Sequence, residues 1–274
     1  MKQIYKIELK RAFSGKRLFI ALGIGMIISM CHLVLWLPEV MSTAKYLDSG
    51  KEGLYFPLTV FYGWIGANMI TWQQYLYFLL FPLLASLPYG VSLFQDRKNG
   101  FIKNILTKCR KRDYYKAKYI STFLSGGCVV IIPLVFNLLV SMMFLPTICP
   151  EITTNSHAVT SQTMFASVFY FRPLVYLCLY FMIQFIFGGL IATIALIVSD
   201  MTEYKFVVEA APMFVYIFVF SLFDLLGRYE LCPLYFLNPS FPKVSTAGVF
   251  IEMFVLFCIT AGYMIWKGRR AEIL

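Results

Sequence analysis

Apolar and polar positions segregate along this chain into long blocks, without the period-two alternation of a half-buried strand. Six blocks, residues 18–37, 75–94, 119–145, 173–198, 207–226 and 247–266, are predominantly apolar, and each reaches the ~20 residues that a helix needs to cross a bilayer. Within one such segment a helix satisfies every backbone donor and acceptor by itself. The pattern predicts an all-α integral membrane protein with six transmembrane helices, forming one membrane domain over residues 1–274. An even number of crossings places both termini on the same side.

Smaller features modulate this plan. Pro82 and Pro88 fall in the second block, Pro133 in the third and Pro212 in the fifth; each lacks a backbone N–H and is expected to kink its helix. Gly188 with Ala192, and Gly189 with Thr193, repeat at helical spacing in the fourth block, where small residues let helices approach closely. The first block exceeds the ~7–15 residues of a signal-peptide core. The small-residue triplet Ser42-Thr43-Ala44 lies beyond its end, so this block is expected to stay attached.

Two short segments are amphipathic. In residues 1–16, Tyr5, Leu9, Ala12 and Phe13 recur at i, i+4, i+7 and i+8 with Lys6 and Lys10 off the stripe, a pattern suited to an interfacial helix on the inner leaflet. Between the second and third blocks, Phe101, Ile102, Ile105, Leu106 and Cys109 share one helical face. Asp96 or Asn99 is placed to cap that helix, the basic residues 108–112 to close it, and Asp113 to cap the next. Such a helix suits an anionic leaflet or a protein partner, and the pattern leaves both open. Aromatic residues of the 38–74 loop (Tyr55, Phe56, Phe61, Tyr62, Trp64, Trp72) are of types that favour a membrane interface.

Charge sets the orientation. Nine of the 24 lysines and arginines lie in residues 97–118, and with the N-terminus inside, 19 of the 24 are cytoplasmic. Only Lys45, Lys51, Arg172, Arg228 and Lys243 then lie outside; the reverse orientation would invert the positive-inside bias. Both termini and the 97–118 loop are thus expected in the cytosol, in a multi-pass protein of the cell membrane. The net charge of +10 is mainly topological, with membrane lipid rather than nucleic acid as its partner. Composition agrees: 59% hydrophobic, 14% charged and a mean hydropathy of +0.72, against about 25% charged in soluble domains.

Candidate chemistry is sparse. The two histidines, His32 and His157, make no HExxH pair, and GxSxG is absent, which argues against a zinc or serine hydrolase. Gly15-Lys16 and Gly50-Lys51 lack the glycine spacing and the Ser/Thr of a phosphate-binding loop. No catalytic residue, metal or cofactor is therefore expected in this chain. Cys149 and Cys232 fall in outside loops where oxidation is possible, and the sequence leaves their pairing open. Glu209, Asp224 and Glu252 lie in or near spans, where an ionisable group is a functional candidate. All three lie near enough to span ends to reach headgroups, and Glu209 is the leading candidate for a pathway or gate.

Asp96, Gly100, Ile105, Leu106, Arg112, Tyr115 and Lys118 follow an order of acid, glycine, apolar pair, basic-aromatic and terminal lysine. It resembles the loop between spans two and three of ABC-2 type transporter permeases. Leu237-Asn238-Pro239 is similar to the element that often precedes span six in that family, although Asp96 stands where many members carry glutamate. The resemblance implies a permease subunit exporting a peptide, drug or lipid-like substrate. It also implies ATP and magnesium bound in separate ABC ATPase subunits, and a second permease copy or related permease chain completing the pathway. The loop helix would be a cytoplasmic coupling helix, with Asp96, Gly100, Phe101, Ile102, Ile105 and Leu106 meeting the ATPase. A noncatalytic membrane sensor or assembly factor fits the same topology; binding of an ATPase at residues 101–106 separates the two.

Overall fold

The computed structural model describes residues 2–48, 58–67, 71–151 and 159–269. Gly50, Lys51, Tyr55, Phe56 and His157, named above, lie outside them. Twelve α-helices follow in order among the described residues: α1 Lys2–Phe13, α2 Lys16–Asp48, α3 Val60–Gly63, α4 Trp72–Ser86, α5 Ser92–Lys98, α6 Phe101–Leu106, α7 Lys111–Phe144, α8 Ala166–Phe171, α9 Pro173–Val198, α10 Lys205–Leu225, α11 Pro233–Phe236 and α12 Thr246–Arg269. No strand forms among these residues beyond an isolated bridge between Thr163 and Pro242.

Helices α2, α7, α9, α10 and α12 are long and apolar enough to cross a membrane, which supports a multi-pass membrane protein. Their outward faces point the same way: Ile27, Val34, Phe214, Phe218 and Phe254 are each 64–67% exposed, a surface suited to lipid and not to water. Helix α9 is the axis of the bundle. Its apolar stretch is 67% buried, against 28–44% for the other four.

The second predicted span does not form one helix. Residues 75–94 divide into α4, the turn 87–91 and α5. At ~1.5 Å per residue, the 15 residues of α4 cover only ~22 Å of a hydrocarbon core about 30 Å thick. Pro88 accounts for the break, because its ring crowds the Leu84 carbonyl and it offers no N–H. The chain continues through turn bonds from Leu87 N to Leu83 O (3.0 Å) and Gly90 N to Ser86 O (2.8 Å).

The other three prolines sit inside continuous helices, each with a nearby carbonyl taken up by a hydroxyl from a neighbouring helix. Tyr216 Oη donates to Phe78 O, four residues before Pro82, at 3.1 Å. Tyr77 Oη donates to Val130 O, three before Pro133, at 2.6 Å. Ser86 Oγ donates to Glu209 O, three before Pro212, at 3.1 Å. A proline releases the carbonyl four residues before it, and a carbonyl left bare in hydrocarbon is costly; the Tyr216 bond removes that cost at Phe78, and the other two bonds tie the adjoining turns of α7 and α10 to α4.

Small residues set the tightest contact. A Cβ on Gly188 would come within 2.7 Å of Val130, one on Gly126 within 2.7 Å of Ala192, and one on Gly127 within 2.7 Å of Phe185 O. The glycine pairs of α7 and α9 thus allow near-backbone approach. At the far end, Leu237-Asn238-Pro239 folds back into the bundle. Gln184 Nε2 donates to Leu237 O at 2.8 Å, Tyr176 Oη to Pro239 O, and Ser240 N to Asn238 Oδ1 at 3.0 Å.

Candidate functional site

The segments richest in lysine and arginine converge at one end of the bundle. There α1 packs against α7, and its buried face is Ile4, Glu8 and Ala12, with Tyr5 and Leu9 only half-buried and Phe13 exposed. This corrects the predicted stripe: the face turned inward carries a carboxylate. Glu8 is wholly buried, as is Lys118 in the second turn of α7, and Asp96 on α5 is 3% exposed.

These groups satisfy one another. Arg11 forks onto Asp96, with Nη2 to Oδ1 at 2.7 Å and Nη1 to Oδ2 at 3.1 Å, and Nη1 also reaches Glu8 at 2.9 Å. Lys118 Nζ bridges Glu8 at 2.7 Å and Asp96 at 2.6 Å. Two phenols complete the shell, Tyr89 donating to Glu8 and Tyr114 to Asp96. With two acids and two bases the cluster is formally neutral, the condition under which buried charge is tolerable. Burial alone would push the Asp96 carboxyl up, but the bond from Arg11, the charge and bond of Lys118 and the bond from Tyr114 outweigh it and hold that group below its ordinary 3.8.

The next residue faces the other way. Arg97 Nη1 donates to Ser199 O at 2.6 Å and Asp200 Oδ1 at 3.1 Å, just past the end of α9. Asp200 also accepts from Tyr263 Oη at 3.0 Å and lies 3.6 Å from Lys267 Nζ, both on α12. Two consecutive residues of α5 therefore fasten it on one side to α1 and α7 and on the other to α9 and α12.

Helix α6 hangs directly from this junction. Gly100 precedes it at φ 68°, in the left-handed region where glycine alone carries no Cβ penalty. The helix ends at Leu106, shorter than the apolar stripe through Cys109 predicts. Neither Asp96 nor Asn99 caps it: Asp96 belongs to α5, and no side chain bonds the first turn. Asp113 lies in the first turn of α7, where its charge suits the helix dipole. Ile102, Ile105 and Leu106 pack partly buried against Ile4, Leu93 and Tyr115. Phe101 lies under the Arg11 guanidinium, 4.6 Å from its ring centroid. The face left to solvent is polar: Lys103, Asn104, Thr107 and Lys108 are exposed.

Comparison with family models, curated proteins and solved structures finds no match for this chain. The residues themselves must carry the reading.

Of the sequence candidates, the structure gathers Asp96, Gly100, Phe101, Ile102, Ile105 and Leu106 in one corner, with the Asp96 oxygens engaged inside the protein. Glu209 stands apart, half-buried near the start of α10. His32 is a packed residue whose Nδ1 lies 3.3 Å from Asn137 Nδ2. All seven cysteines are free, Cys149 exposed and Cys232 buried. Sequence reasoning missed Glu8, Tyr89 and Asp200. A signal for Glu8 was present: it is the lone acid among the first 17 residues, four from Ile4 and from Ala12.

Proposed function

We propose that the chain is the permease subunit of an ABC-2 type exporter in the cell membrane, driven by separate ATPase subunits. In this reading α4 and the first residues of α5, within 75–94, supply the sixth crossing, and the basic end, Asp96 and Arg97 included, faces the cytosol, as the lysine and arginine bias favours. A second permease copy or related chain completes the pathway. ATP and magnesium are held by the ATPase, and this chain contributes the mechanical link.

The observation that carries the reading is the divided attachment of α5 through Asp96 and Arg97. An ATPase docked on α6 would displace a short helix with few internal contacts of its own. That displacement reaches α1 and α7 through the Asp96 cluster, and α9 and α12 through Arg97 and Asp200. The Asp96 attachment is ionic and desolvated through Lys118, so it resists stretching more than a surface ion pair does; the Arg97 attachment is half-exposed on the arginine side and is reinforced by the bond to Ser199 O. The docking face is the exposed one, Lys103, Asn104, Thr107 and Lys108, with the flank of Phe101, and it calls for an acidic groove on the ATPase. Glu209, beside the end of α4 that leads into α5, is the gating candidate.

The test is purification of the chain from its native membrane in mild detergent, with partners identified by mass spectrometry. A stoichiometric subunit carrying a phosphate-binding loop is expected, and Lys103→Glu with Lys108→Glu should release it while the chain still inserts. An intact preparation with no such subunit would overturn the transporter reading in favour of a sensor or assembly factor.

A further inference from the structure

Away from the basic end, α9, α10 and α12 enclose a lateral cleft of about 510 Å³. Its walls are largely hydrocarbon, among them Phe187, Ile191, Val219, Phe223 and Leu256; Glu252 is the single carboxyl group in the lining, and Tyr216 commits its hydroxyl to the Phe78 carbonyl. Glu252 Oε1 is shielded from solvent and has no hydrogen-bond partner. A buried carboxylate oxygen without a partner is an exception that requires an explanation, and inside a membrane an ionisable group faces a cavity or a counter-charge. Of the dozen buried side-chain polar atoms without a partner among the described residues, Glu252 Oε1 is the only carboxylate oxygen.

We propose that this cleft binds a bilayer-dissolved amphiphile with one positive headgroup, a primary ammonium on an alkyl chain. The apolar walls take the chain, and Glu252 takes the ammonium in a charge-assisted hydrogen bond. Charge complementarity selects this occupant: a neutral headgroup offers at most an uncharged donor and an acyl anion is repelled. The site is independent of the coupling junction and stands whether or not an ATPase binds α6.

The experiment uses the full chain in phosphatidylcholine nanodiscs, with dodecylamine as probe and dodecanol as its uncharged counterpart, and reads binding by calorimetry. Dodecylamine should bind one site per chain at least about tenfold more tightly than dodecanol, the scale of one charge-assisted hydrogen bond. Glu252→Gln, nearly isosteric, should abolish that preference while keeping the alcohol's affinity; Val219→Trp, which fills the cleft, should weaken both probes. Equal binding of the two probes by the parent chain overturns the proposal, as does a preference that survives Glu252→Gln. A Val255→Cys chain that cross-links to its own copy in the membrane would place a second subunit over the cleft and overturn it as well.

Discussion

Replacing Lys118 with methionine tests the buried cluster most directly. The substitution keeps an unbranched apolar stem but removes the cation that lies 2.7 Å from Glu8 and 2.6 Å from Asp96. Arg11 then stands alone against two buried carboxylates, and Tyr89 loses its 3.1 Å bond from Nζ. Removing one partner from a buried ionic group costs about 3–5 kcal/mol, mostly the penalty of the charge left behind. For a chain of this size that corresponds to a fall of roughly 6–20 °C in unfolding temperature. The assay is thermal unfolding in detergent, read as loss of the monodisperse peak, for Lys118→Met, Glu8→Gln and the double variant. The double variant leaves Asp96 paired with Arg11, so it is expected to recover much of the loss suffered by Lys118→Met. A Lys118→Met chain as stable as the parent, or a double variant losing the full sum of the two single effects, would refute the account of a coupled neutral cluster.

Four other outcomes are expected. Tyr216→Phe leaves the Phe78 carbonyl without its 3.1 Å donor and should cost about 1–3 kcal/mol in the same unfolding assay, whereas Tyr229→Phe, on an exposed side chain, should be neutral. Gly127→Ala would bring a Cβ within 2.7 Å of the Phe185 backbone oxygen and should destabilise by about 1–3 kcal/mol, because backbone yields little. The Asp96 carboxyl sits below its ordinary 3.8 in the folded protein, so its stabilisation is full above that pH and lost as pH falls through the folded value; Asp96→Asn should flatten the unfolding temperature's dependence on acid below about pH 4. Burial first, then the charges of Asp224 and Glu252, push the Cys232 thiol up to about 11, so a maleimide should label exposed Cys149 readily and Cys232 only after unfolding.

The sequence by itself determined the class of this protein and the course of its chain. Blocks about 20 residues long can bury their backbone groups only as helices, so α2, α7, α9, α10 and α12 follow from local composition. So does the amphipathic face of α6, set by neighbours in the chain. The tertiary structure decided what depends on residues far apart. Pro88 alone did not reveal whether the second block would bend or break, since the answer rests on the surroundings of the 87–91 turn, where Gly90 lies close to Ala195 of α9. Likewise, the prolines within α4, α7 and α10 read as kinks until Tyr216, Tyr77 and Ser86 were placed against the nearby carbonyls. The ion cluster was least legible of all. Glu8 lies far from Asp96 and Lys118 along the chain, and a charge's role depends on the dielectric around it, which a linear pattern of lysines does not contain. Read along the chain, Asp96 and Arg97 are two adjacent charges in a basic loop; only the packed bundle turns them toward different helices and gives each a buried partner, Lys118 for Asp96 and Asp200 for Arg97.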